Sequence, residues 1–115
     1  MLLFKKGVSE LKMVGSKMLS RREMKAEEEI EEGLGGVGKL RILRILAKDV
    51  DKCYTKYALE KKTGLKRVNL KNDLEDLKSI GWVIEYEHEP KKYKLNKDNH
   101  TVDSLLDFFR KARYI

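Results

Sequence analysis

The sequence predicts a mainly α fold with one small β-hairpin, an N-terminal helical arm and a C-terminal helix. Three observations carry that prediction. In the stretch Thr63–Val83, Leu70, Leu74 and Leu77 recur at i, i+4 and i+7 and share one helix face, which Ile80 extends. Upstream, Leu40, Leu43, Leu46 and Ala47 form a second apolar stripe, widened by Ile42, Ile45 and Val50. Downstream, Trp82–Glu87 and Lys92–Leu95 read as strands around a turn that holds the only proline, Pro90.

The bulk properties bound the rest. A chain of 115 residues has room for one modest core. Its net charge of +7 favours an anionic partner, although charge alone also serves solubility. Charged residues make up 39% of the chain and glutamine is absent, a bias common in proteins from hot environments. Cys53 is the only cysteine, so no intramolecular disulfide can form and a reducing cytoplasm is expected. The leading apolar run Met1–Phe4 is shorter than the roughly 7–15 residues of a secretory signal. No run approaches the ~20 apolar residues of a membrane span, so no membrane partner is expected.

The elements follow in order. Residues 5–32 read as a helical arm in two pieces. Val8, Leu11, Val14 and Met18 stripe the first, and Ser20–Glu23 has the form of a capping box opening the second. The second piece, Glu23–Glu32, is strongly acidic and fits either a solvated surface helix or a docking arm. A first core helix runs from Gly38 to about Lys48, with Lys39, Arg41, Arg44 and Lys48 standing off it. Thr55 caps a short helix whose Tyr57, Ala58 and Leu59 are expected to face the core. Leu65 plugs inward, and a third helix starts near Lys66 and stops at Gly81. Trp82, Tyr86 and Tyr93 are expected to pack on the hairpin, and Cys53 to be a small packing residue. Thr101 is expected to cap the last helix, which Val102, Leu105, Leu106 and Phe109 stripe. The domain division is therefore 1–36 arm and glycine-rich hinge, 37–97 central domain, and 98–115 C-terminal helix.

One motif invites a different chemistry. Gly33–Lys39 matches G-x-x-x-x-G-K, the loop that cradles nucleotide phosphates. That loop needs Ser or Thr next to hold Mg²⁺ and a buried strand before it. Here Leu40 follows and Ile30-Glu31-Glu32 precedes, so a hinge is the better reading. His88 and His100 are isolated and lack partners at metal-ligand spacing. No nucleophile–base pair or carboxylate pair in apolar context is legible, so neither enzyme activity nor cofactor is expected.

Helix, short helix, glycine turn, helix, glycine, hairpin: this order over residues 37–95 resembles the winged helix-turn-helix domain of small prokaryotic transcription regulators, archaeal ones included. The resemblance is carried by Gly64 to Val83, with Leu65, Leu70, Leu74 and Leu77 at the family's buried positions and Gly81-Trp82-Val83 at its step into the wing. It implies a third helix that enters the DNA major groove by its first turns. The positions carried over are Lys66, Arg67, Val68, Asn69, Lys71 and Asn72. Around a wheel centred on Leu70, Val68 and Asn72 point most directly away from the core. Asn can pair with adenine, Arg or Lys with guanine, and Val with a thymine methyl. Backbone and wing contacts would come from Thr55, Lys56, Lys61, Lys62, Lys91, Lys92 and Lys94. The sequence departs from the family pattern at Lys66, where Ser or Thr often caps, at Glu75 and Asp76, and in the wing acids Glu85, Glu87 and Glu89.

The expected function is therefore a sequence-specific binder of double-stranded DNA, a transcription regulator. It would be homodimeric through Val102, Leu105, Leu106, Phe109 and the N-terminal arm. Two rivals stay open: a winged-helix protein-interaction module, and an architectural or replication-associated DNA binder without sequence preference.

Overall fold

The structure, a computed structural model, describes residues 25–115. The expected first piece of the arm and the box at Ser20–Glu23 lie outside them. The described chain forms α1 (Ala26–Gly33), α2 (Val37–Lys48), β1 (Tyr54–Thr55), α3 (Lys56–Thr63), α4 (Arg67–Ser79), β2 (Val83–Tyr86), β3 (Lys92–Leu95) and α5 (His100–Lys111).

The leucine stripes fold as their spacing dictates. Leu70, Leu74 and Leu77 of α4 and Ile42, Leu43 and Leu46 of α2 are all buried, meeting Leu59 of α3 in one core with Trp82, Tyr93 and Leu95. Full burial of each such leucine or isoleucine stabilises by roughly 1.5–3 kcal/mol. Thr55 caps α3, its Oγ1 accepting from the Ala58 amide at 3.1 Å. Gly64 (φ 75°) and Gly81 (φ 82°) take the left-handed conformation that stops α3 and α4.

Four placements differ from the sequence reading. The hairpin is not alone: β1 pairs with β3, giving an antiparallel sheet of order β1-β3-β2, with Tyr54 opposite Tyr93 and Thr55 opposite Lys92. Tyr57 is exposed, whereas Leu59 is wholly buried. Residues two positions apart on a helix are turned about 200° from one another and cannot share a face. Cys53 is exposed in the connection before β1. Asn99, not Thr101, caps α5, accepting from the amides of Thr101 (2.8 Å) and Val102 (3.1 Å).

Helix α1 leans on the end of α4. Its Gly33 lies under the Trp82 ring, and the Trp82 Nε1–H donates to the Glu29 carboxylate at 2.6 Å. Gly33 carries no side chain because the indole occupies the space a Cβ would fill. Glu28 reaches back to the Lys25 amide at 3.2 Å, so the reciprocal half of a capping box sits at Lys25.

We expect Gly33→Ala to destabilise the fold by about 1–3 kcal/mol, because the tryptophan must shift. Gly36→Ala has open space at an extended backbone and should cost less, about 0.5–1 kcal/mol as an N-cap change. Thermal unfolding of both variants checks the pair; equal melting temperatures would remove the Trp82 contact from the account.

Candidate nucleic-acid interface

Helix α4 opens without a side-chain cap: Lys66 is its extended N-cap residue, and no acid lies in its first turn. Lys66, Arg67, Val68, Asn69, Lys71 and Asn72 are all exposed around the buried Leu70. Val68 is 61% exposed, unusual for an aliphatic residue with buried leucines on the opposite face of its helix. Arg67 is tied across the turn to α3, its Nε lying 3.3 Å from the Glu60 carboxylate.

Of the acids behind this front, Asp73 and Asp76 are half-buried and Glu75 is exposed. Asp76 pairs with Lys39 of α2 at 3.1 Å, and Lys39 also contacts the Glu32 carboxylate (3.0 Å) and backbone oxygen (2.8 Å). Burial opposes the Lys39 charge, but the hydrogen bonds it donates to Glu32 and Asp76 outweigh it and raise its pKa. Lys39 was expected to stand off α2. Instead its residue is buried, and the G-x-x-x-x-G-K lysine is committed to carboxylates while a helix, not a strand, precedes the glycines. Asp73 is half-buried against Gly38 at the start of α2, and that burial, with Asp76 nearby, raises its carboxyl pKa despite Lys39. Glu75 pairs with Lys78 at 3.4 Å.

The wing shares its charge in the same way. Glu85 is nearly buried, 3.1 Å from Lys78 and 3.5 Å from Lys91. Burial pushes its carboxyl up, yet the hydrogen bond and charge of Lys78 pull it down, to about 2. The Tyr93 hydroxyl is buried without a hydrogen-bond partner among the described residues; burial and the Glu85 charge push its pKa up. Lys91 and Lys92 are exposed and Lys94 half-buried. Glu87 and Glu89 remain exposed on the wing, and Tyr86 stacks on His88 with ring centroids 6.1 Å apart.

The remaining candidates fall into two groups. Thr55, Lys56 and Lys91 line one groove with Tyr57 and Pro90, and Lys92 is the register partner of Thr55. Thr55's hydroxyl already serves as the α3 cap, and the Lys56 ammonium sits 6.0 Å over the Tyr93 ring. Lys61 lies 5.3 Å over the Tyr57 ring. Lys62 lines a separate cleft with Arg41 and Arg44. The sequence reading missed Tyr57 here by assigning it to the core. Arg41 and Arg44 were legible only as polar positions of α2.

The fold is a winged helix-turn-helix. Solved structures of this architecture include the reduced form of HlyU from Vibrio cholerae N16961, with TM-score 0.62 and 18% identity over 75% of this chain and 86% of that one. NolR from Sinorhizobium fredii aligns with TM-score 0.62 and 18% identity over 89% of this chain and 96% of its own. A MarR family transcriptional regulator from Silicibacter pomeroyi DSS-3 aligns with TM-score 0.55 and 15% identity over 75% and 62%. At these identities the likeness is one of fold. No family model matches the sequence, and no curated protein matches it. Among the described residues no helix is long and apolar enough to cross a membrane.

The C-terminal stripe corrects one expectation. Val102, Leu106 and Phe109 are buried in the core of their own chain, so they are not available to a partner. What α5 leaves outside is Phe108, 61% exposed, and the half-buried Leu105. An apolar depression beside them is lined by Leu40, Phe108, Phe109, Ala112 and Tyr114.

The Glu85 pairing predicts a pH signature. Its folded pKa of about 2 lies below the ordinary 4.5, so the unfolded chain binds the proton first as pH falls. The stability it contributes is full above 4.5 and is lost as pH drops toward 2. Urea melts should find Glu85→Gln less stable than the parent at neutral pH, with the gap closing in acid; a gap that is constant with pH would sink this assignment.

Proposed function

We propose that this chain is a sequence-specific binder of double-stranded DNA that regulates transcription as a homodimer. The observation that carries this reading is the front of α4: six residues of its first turns stand free of the core, while behind them Glu75 is paired with Lys78 and Asp76 with Lys39, and Asp73 is half-buried. A helix end that is basic and amide-bearing, backed by a wing, matches the donors and acceptors a major groove offers. The MarR family neighbour is a transcriptional regulator, and the shared fold supports carrying that role to this chain.

Capture would begin with phosphates meeting Lys61, Lys62, Lys92 and the half-buried Lys94. Reading would follow from Asn69, Asn72, Lys66, Lys71 and Val68 against base edges. Arg67 serves both sides, since a phosphate or guanine must compete with Glu60 for it. The homodimer is proposed to close over Phe108 and the depression around it, an exposed apolar surface that suits a second copy. Two reading helices would then lie roughly 34 Å apart, one turn of DNA.

Binding measured against a randomised duplex pool and a salt series tests the reading. Affinity should fall steeply with salt, Lys61→Ala should weaken all duplexes alike, and Asn69→Ala and Asn72→Ala should alter sequence preference. Uniform loss for every variant would favour the architectural role. No binding to any duplex at low salt would leave the protein-interaction module, which the exposed acids Glu27, Glu28 and Glu31 favour.

For the dimer, Phe108→Glu should yield a monomer by light scattering with little change in melting temperature, because the residue is exposed. A variant that stays dimeric would move the interface elsewhere.

A further inference from the structure

Tyr57 is a large aromatic residue, 66% exposed, in the first turn of α3. A single exposed aromatic is ordinary, so the weight lies on what surrounds it. Three observations describe what stands around it. It lines the groove between the start of α3 and the wing loop together with Thr55, Lys56, Pro90 and Lys91. Tyr57, Glu60 and Lys61, at i, i+3 and i+4, share one face of α3, and Glu60 on that face holds Arg67 of α4. One face of α3 thus carries both the groove's tyrosine and the acid that holds the first residue of the reading helix. Finally, Lys61 stands over the Tyr57 ring at 5.3 Å, and Lys56 and Lys91 flank the groove from two different elements. Lys91 is partly shared with Glu85, and Glu89 is the acid next to the groove in sequence, beside Pro90.

We propose that this groove is a sugar–phosphate site and that Tyr57 is its anchor. An apolar floor of tyrosine ring and proline suits a deoxyribose, which is apolar over most of its faces. The tyrosine hydroxyl donates to a phosphate oxygen, and Lys56 and Lys91 neutralise the adjoining charge. Bases play no part, so the contact fixes where the duplex sits and carries no sequence information. Tyr57 is a positioning residue, and its pairing with Lys61 holds the ring in place before DNA arrives. This inference rests on the duplex-binding reading above.

The test uses the full chain and a duplex recovered from the randomised pool, with binding followed by fluorescence anisotropy across a salt series. Tyr57→Ala should lose roughly tenfold in affinity on every duplex, the size of one hydrogen bond to a charged group. Tyr57→Phe, which keeps the ring but removes the whole hydroxyl, should lose nearly as much, any remaining difference being the packing of the ring on the sugar. Neither should change the salt slope, because tyrosine is neutral, whereas Lys56→Ala should reduce it by about one. Ethylation interference should find a phosphate that matters to the parent and ceases to matter to Tyr57→Ala. If the parent binds with its salt dependence and both Tyr57 variants bind equally well, the inference fails and the duplex reading stands. A changed base preference in Tyr57→Ala would also overturn it, by making Tyr57 a reader of bases. Should the parent bind no duplex at all, both fall together. If Tyr57→Ala melts lower than the parent, Tyr57→Phe alone decides, since it preserves the packing.

Discussion

The Lys39 ammonium holds the described fold in register with its proposed surface. Its side chain is only 11% exposed, and it is satisfied by two groups on α1 and one on α4. Removing any one of those partners would leave a charge poorly compensated in a partly dry site, the costly half of the buried-pair asymmetry. The interaction also sorts charge across α4. It neutralises Asp76 behind leading turns that carry no acid of their own. One contact thus serves helix packing and surface electrostatics together.

Trp82 does for the apolar side what Lys39 does for the polar one. It is wholly buried, is covered by α1 at Gly33, and spends its single donor on Glu29. The two contacts fall on successive turns of α1, at Glu29 and Glu32, and between them they set how α1 lies across the end of α4. Helix α5 closes the other side, with Phe109 against Tyr114 edge to face at 5.1 Å and Arg44 donating to the Tyr114 carbonyl at 2.9 Å.

Much of this was legible in the chain because periodicity reports burial directly. Leu70, Leu74 and Leu77 gave away α4, Thr55 its neighbour's start, and Gly81 its own stop. What escaped lies where no period exists or where one residue type serves two environments. Tyr54–Thr55 is too short to display alternation, so its pairing with β3 left no trace. Tyr57 was drawn inward because tyrosine is amphipathic, although its spacing from Leu59 forbade it. Lys39 was read as solvated because a lysine on a helix usually is, and its carboxylate partners lie 7 and 37 positions away in sequence. Asn99 and Thr101 are both good caps, and nothing in their order distinguishes them. For the proposed interface, the sequence supplied the right segment of α4 and a scatter of lysines. Which of those lysines stand together depended on the sheet register.

That register has a mechanical consequence. Because β1 ties Thr55 to Lys92 and β2 ties Tyr86 to the same lysine, the wing is braced on both sides of β3 at the end next to its turn. The wing cannot swing as a free hairpin does to follow a groove of varying width. On the proposed reading, a duplex on this face would meet a template of nearly fixed shape, and misfit would fall to the nucleic acid. Narrow, stiff or easily kinked steps would then be told apart by how willingly they conform, at positions no side chain touches.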